Sequence, residues 1–254
     1  VRVISIINLK GGVAKTISSI NIAHILATVH NKKVLLIDND KQGNTTKFFN
    51  MHDADELSIA NVMTDKNIYI EDVIVPTQYE NLDLIPANMH LLKANLDVIM
   101  DVGRPQQYRL RKALKQIEEE YDYCIIDNPP DINISVINAL VSSNDVLIPI
   151  KIDQFAFDGM EELIEQIENA KEMNSELTLK GCFVTQFARN KVNTQGEKLL
   201  NNNDEYPMFR THIRRTVKVD ESTFANLPIV EYSKSCGAAR DYIDLVEEYL
   251  DTVE

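Results

Sequence analysis

The chain is 254 residues long, 44% apolar and 26% charged, which suits one α/β domain with a substantial core. No apolar run approaches about 18 residues, so a membrane-spanning helix is excluded, and the opening Val3-Ile4-Ser5-Ile6-Ile7 follows no charged leader of the signal-peptide kind. A net charge of −13 excludes a protein that coats nucleic acid with its whole surface, and Cys124, Cys182 and Cys236 form no C-x-x-C pair and read as buried, reduced thiols. The charge is uneven: residues 189–218 hold 7 basic and 3 acidic residues, so a local basic face on an acidic body is expected.

Apolar runs at Val1–Ile7, Val34–Ile37, Leu82–Ile85, Tyr123–Ile126, Val146–Ile150 and Leu179–Val184 read as strands. Several are apolar at successive positions, the pattern of parallel strands covered on both faces. Helical patterns cover Ile17–Val29, Gln106–Glu120, Ile134–Val141, Gly159–Glu172, Gly196–Asn203 and Ala238–Leu250. In the last, Tyr242, Leu245, Val246 and Tyr249 share one face. The alternation predicts an α/β fold: a doubly wound, mostly parallel sheet with helices on both faces, running as a single domain over residues 1–254. Ligands of such sheets gather at the C-terminal ends of strands.

At the end of the first strand lie Asn8-Leu9-Lys10-Gly11-Gly12-Val13-Ala14-Lys15, with a helical pattern from about Thr16. A loop here turns backbone N–H groups and a helix N-terminus toward an anion. Gly11 and Gly12 permit close approach, Lys15 supplies a point charge for the outer phosphates, and the Thr16 hydroxyl suits Mg²⁺. The pattern G-x-x-x-x-G-K-[ST] fails at both glycines, where Leu9 and Ala14 stand. If the second of those positions needs a positive φ, Ala14 imposes strain. A second lysine, Lys10, precedes Lys15 by five residues.

The run Lys10-Gly11-Gly12-Val13-Ala14-Lys15-Thr16 resembles the deviant Walker A signature of the ParA/MinD group of P-loop ATPases. Two further segments extend the resemblance over nearly the full chain. Asp38-Asn39-Asp40-Lys41-Gln42-Gly43-Asn44 is similar to that group's D-x-D-P-Q-G-N switch I, with Lys41 for proline, which is expected to free the loop somewhat. Asp127-Asn128-Pro129-Pro130, after an apolar strand, is similar to its D-x-P-P Walker B and switch II. The resemblance implies that Lys10 crosses to the nucleotide of a second subunit and that Asp40 orients the attacking water. It also implies that Thr16, Asp40 and Asp127 form the Mg²⁺ shell, with Asp127 acting through water, and that Pro129 and Pro130 shape switch II. ATP and Mg²⁺ are then the cofactors, and the ATP-bound form a homodimer that hydrolyses slowly until a partner acts.

Within the group the chain most resembles the ParA/Soj partitioning ATPases. That resemblance implies nonspecific DNA binding, a ParB-like centromere-binding partner and a cytoplasmic, nucleoid-associated location. The segment 209–221 is similar to the Soj segment that contacts DNA, which assigns that role to Arg215, Lys218 and the neighbouring Arg214, with Arg189 from a separate stretch. With no domain ahead of the first strand, the small Soj-like form is expected. The alternative, a MinD-like membrane-surface positioning ATPase, needs a basic amphipathic C-terminal helix, whereas the segment 241–254 is acidic throughout, so no stable membrane association is expected. An iron–sulfur reductase on this fold needs loop cysteines, and Cys124 and Cys182 fall within strands. Fold alone leaves a small-molecule ligase open, though Lys10 speaks against it.

Overall fold

A computed structural model of the protein describes residues 1–153, 159–202 and 206–253. β1 (Arg2–Ile6) leads into α1 (Lys15–Thr28), and β2 (Val34–Asp38) into α2 (Asn44–Phe48) and α3 (Ile59–Thr64). A short strand β3 (Val75–Pro76) precedes β4 (Leu82–Ile85), α4 (His90–Met100) and α5 (Arg109–Leu114). β5 (Tyr123–Asp127), α6 (Ile134–Ser142), β6 (Asp145–Lys151), α7 (Met160–Met173) and β7 (Thr178–Thr185) continue the alternation. α8 (Lys191–Asn201), α9 (Val217–Phe224), α10 (Ile229–Tyr232) and α11 (Gly237–Asp251) follow.

The strands form one sheet in the order β3-β4-β2-β5-β1-β6-β7, parallel except for the antiparallel edge strand β3. Successive strand residues feed opposite layers, as a period of two requires. Ile4, Ile6, Leu36 and Ile125 pack with α1 and α11 residues including Tyr242, Leu245 and Tyr249. Leu35, Ile37, Cys124 and Ile126 pack with Leu91 of α4 and Leu110 of α5 on the other face. Burial on both faces accounts for the unbroken apolar runs of the strands. The same burial pushes the Cys124 thiol up, and the Cys182 thiol up to about 12, so both stay protonated.

α11 is tied to both α1 and β6. Tyr242 and Ser18 share a hydrogen bond at 3.1 Å, joining α11 to α1. Asp145 on β6 accepts from Arg2 Nε at 2.5 Å and from the Tyr249 hydroxyl at 2.6 Å, which ties β1 and α11 to β6.

Two predicted helices begin three or more residues from the expected start. α5 starts at Arg109 rather than Gln106 because the Asn138 side chain of α6 accepts from the backbone N–H of Arg109 at 2.8 Å and of Leu110 at 3.2 Å. α8 starts at Lys191 rather than Gly196, since Asn190 caps it by accepting from Asn193 N at 2.9 Å. Its predicted end, Asn203, lies outside the described residues.

Candidate nucleotide site and basic face

β1 lies between β5 and β6, and its end opens into the glycine loop. Asn8 is buried and shapes that loop, donating to Pro149 O at 2.8 Å and accepting from Lys10 N at 2.8 Å. Gly12 takes φ +73°, and Ala14 takes φ 66°, ψ 30°, the left-handed conformation that favours glycine. Strain therefore falls at the position where Ala14 departs from the signature. α1 begins at once with no side-chain cap and no acidic residue in its first turn, which leaves its leading N–H groups for an anion. The Lys15 ammonium is buried and donates to Asn8 O at 2.8 Å and Lys10 O at 2.9 Å. Burial lowers its proton affinity, and the nearby Asp127 and Asp40 oppose that shift.

Asp127 ends β5 in register with Ile6 of β1 and Asp38 of β2. It accepts from Thr45 Oγ1 at 2.8 Å, from Ser19 Oγ at 3.2 Å and from the Thr16 hydroxyl. Asp38 is fully buried and accepts from Thr46 Oγ1 at 2.6 Å and Thr46 N at 2.8 Å. Burial pushes both carboxyls above the usual range; at Asp38 the Asp127 charge adds to the rise, while at Asp127 the surrounding hydroxyls and Lys15 counter it. Asp40 stands one turn out from the strand, accepting from Gln42 N at 2.9 Å. Gly43 is required at the following turn, where φ is +62° and a Cβ would meet Ala87 O at 2.8 Å.

Gly12, Lys15, Thr16, Asp40, Pro129 and Pro130 all line one cleft of about 460 Å³. Lys41, the second departure from the family pattern, reaches across it to Asp131 at 3.6 Å, so the looser loop expected from losing proline gains a tie to the loop after β5. Asn128 carried no signal in the sequence, yet it is the buried peg of the site. Its amide donates to Ile6 O at 3.2 Å and its Oδ1 accepts from Asn39 at 2.9 Å, joining β1, β5 and the loop after β2. Lys10 turns away from the cleft and pairs with Asp153 just beyond β6. Among the described residues no group of three or more His, Cys, Asp or Glu forms a metal cage. A Mg²⁺ held with phosphates needs only one or two carboxylates, which this donor set provides.

Three of the basic residues singled out in the sequence meet at the end of β7. Phe187 N donates to Ile213 O at 2.9 Å and Arg215 N to Phe187 O at 2.8 Å, drawing residues 187–189 and 212–215 together. Arg189, Arg214 and Arg215 thus share one concavity with His212, which stacks on Phe187 at 3.9 Å. Their charges differ in availability. Arg214 is gripped by Asp241 at 2.6 and 2.7 Å, and Lys218, apart on α9, pairs with Glu221 at 2.7 Å. Arg189 and Arg215 make no ion pair among the described residues. Gln186, which sequence reasoning passed over, takes φ 53° and donates to Gly12 O at 2.7 Å. Thr185 likewise donates to Val13 O at 3.0 Å, so the basic face and the glycine loop are bonded to each other.

Comparison with known proteins agrees with this geometry. A family model described as an AAA domain matches residues 1–179. The sporulation initiation inhibitor protein Soj of Bacillus subtilis is 34% identical over 250 residues, covering 97% of each chain. A putative plasmid partition protein of Borrelia burgdorferi, solved bound to AMPPNP, superposes with a TM-score of 0.79 at 25% identity, covering 98% of this chain and 97% of that one. Cobyrinic acid a,c-diamide synthase of Mycobacterium smegmatis, solved with ADP and magnesium, gives a TM-score of 0.83 at 27% identity, covering 97% and 92%. Two lysines flanking a glycine loop, two carboxylates at adjacent strand ends and full-length similarity to Soj converge: the chain belongs to the ParA/Soj-type partitioning ATPases of the deviant Walker A P-loop group.

Proposed function

We propose that the chain is an ATP-driven switch that dimerises on ATP, binds DNA without sequence preference and hydrolyses ATP under stimulation by a ParB-like centromere-binding protein, so as to segregate chromosome or plasmid DNA. The observation that carries this reading is the meeting of Lys15, Thr16, Asp40 and Asp127 at the end of the sheet, with the second lysine, Lys10, on the same loop but turned toward Asp153. Thr16 and Asp40 would hold Mg²⁺, with Asp127 acting through water. The metal supplies charge neutralisation across the outer phosphates. Lys15 exchanges its two carbonyl contacts for phosphate oxygens, and the uncapped first turn of α1 donates N–H groups to them. Asp40, on a loop rather than a strand, orients the attacking water.

Lys10 would leave Asp153 for the nucleotide held by a second subunit. Dimerisation and nucleotide state then form one linked equilibrium. Arg189 and Arg215 supply the phosphate contacts to DNA, and Arg214 and Lys218 contribute less because Asp241 and Glu221 neutralise them. The bonds from Gln186 and Thr185 to the glycine loop give nucleotide binding a direct route to that face. The working location is the nucleoid, in the cytoplasm.

Sedimentation of dilute protein tests the switch. Wild type is expected as a dimer with ATP and a monomer with ADP, while Lys10→Ala binds nucleotide yet stays monomeric. An intact ATP dimer of Lys10→Ala would remove the trans-lysine role.

A further inference from the structure

α4 is apolar on two faces. Leu91, Ala94 and Val98 are buried against the sheet layer. Met89, at its N-cap, and Leu92, Leu96, Ile99 and Met100 are 49–79% exposed. At 3.6 residues per turn those five fall within an arc of about 100°. Single exposed apolar side chains are ordinary, but five in one stripe form a contiguous patch that calls for a cover. None of them lines the nucleotide cleft.

The margin of the stripe identifies that cover. Lys93 and Asp97 both lie along one side of it, exposed and without an ion pair among the described residues. Lysine N-terminal to aspartate at i, i+4 is the weaker order within a helix, so both charges remain available to a neighbour. The two lie symmetrically about position 95, and Met89 with Met100, and Leu92 with Ile99, are centred within half a residue of the same point. A second copy of α4 laid antiparallel across a twofold axis at that level meets Lys93 with Asp97 twice and Leu92 with Ile99 twice. Isologous contacts demand this self-complementarity.

We infer that the exposed face of α4 is a self-association surface, through which two copies of this chain pair by their α4 helices independently of the nucleotide cleft. An 11-residue helix is only about 16 Å long, and the contact falls below the roughly 800 Å² per partner of a stable interface. The pairing is therefore weak and depends on concentration.

Sedimentation velocity on the full chain without nucleotide, over a wide concentration range, tests this. Wild type is expected to show a monomer–dimer equilibrium that Leu96→Glu abolishes. Lys93→Glu and Asp97→Lys each turn two ion pairs into like-charge contacts and should weaken it about tenfold or more. The double variant Lys93→Glu/Asp97→Lys restores the pairs in reverse and should recover association. All three positions are exposed, and thermal melts by circular dichroism confirm folding. A wild type monomeric at every concentration, as a face reserved for another protein's helix would give, overturns the inference. So does a double variant no better than the singles.

Discussion

Replacing Ala14 with glycine isolates the strain in the phosphate loop. Ala14 holds φ 66° and ψ 30° at the start of α1. An L-residue with a Cβ loses roughly 1–2 kcal/mol in that conformation. Glycine removes the penalty but adds roughly 0.4–1 kcal/mol of chain entropy to the unfolded state. The balance predicts that Ala14→Gly stabilises the protein by about 0.5–1 kcal/mol, a rise in Tm of about 1–4 °C for a chain of this length. Ala14→Val places a β-branched side chain in the same conformation and should destabilise by more than about 1 kcal/mol. Urea unfolding without nucleotide, followed by far-ultraviolet circular dichroism, measures both. If Ala14→Gly is less stable than wild type, or Ala14→Val equal to it, the loop does not store strain at this residue.

Other expectations follow from the same geometry. Lys15→Ala should weaken ATP binding at least tenfold in equilibrium titration, since it removes the buried charge at the loop, about 1.4 kcal/mol or more; unchanged affinity would contradict its role. If Asp40 orients the attacking water, Asp40→Ala should give an ATP dimer that persists, and dissociation at the wild-type rate in a sedimentation time course would count against that role. Arg215→Glu should weaken DNA binding and flatten its salt dependence, while Arg214→Ala should mainly lower stability by leaving buried Asp241 unpaired. The reverse order would reassign the basic face. His24 is buried, and burial lowers its pKa to about 4, with Glu231 at 3.4 Å making no hydrogen bond to its Nε2. Between its unfolded value near 6.5 and about 4 the unfolded chain binds more protons, so this residue's contribution to stability, full above pH 6.5, is lost as pH falls toward 4. Wild type should therefore lose up to about 3 kcal/mol relative to His24→Leu between pH 7 and pH 4, and a constant difference would refute the assignment.

Much of the fold was legible because its signals are local. Leu35, Leu36 and Ile37 read as a parallel strand from their unbroken apolar run, and Asp38 and Asp127 mark the ends of neighbouring strands. The glycine loop was legible despite Leu9 and Ala14, since Lys10, Lys15 and Thr16 keep their spacing. α4 was missed because apolar residues on both of its faces leave no single helical stripe, and β3 because two residues at a sheet edge carry no periodicity. The sequence placed Arg189 and Arg215 in one basic stretch, but not the pairing of Arg214 with Asp241, which depends on α11 folding back over 27 residues. Gln186 and Asn128 were illegible for a different reason: a single amide gains meaning only once the strand ends bring Gly12 and Asn39 within reach.

Nucleotide control of DNA binding through this one site is read out by parallel cosedimentation with DNA and with anionic liposomes, each in ATP and in ADP. The protein should pellet with DNA in ATP, remain in the supernatant with DNA in ADP, and stay off the liposomes in both. Pelleting with liposomes in ATP, or equal DNA binding in the two nucleotides, would contradict it.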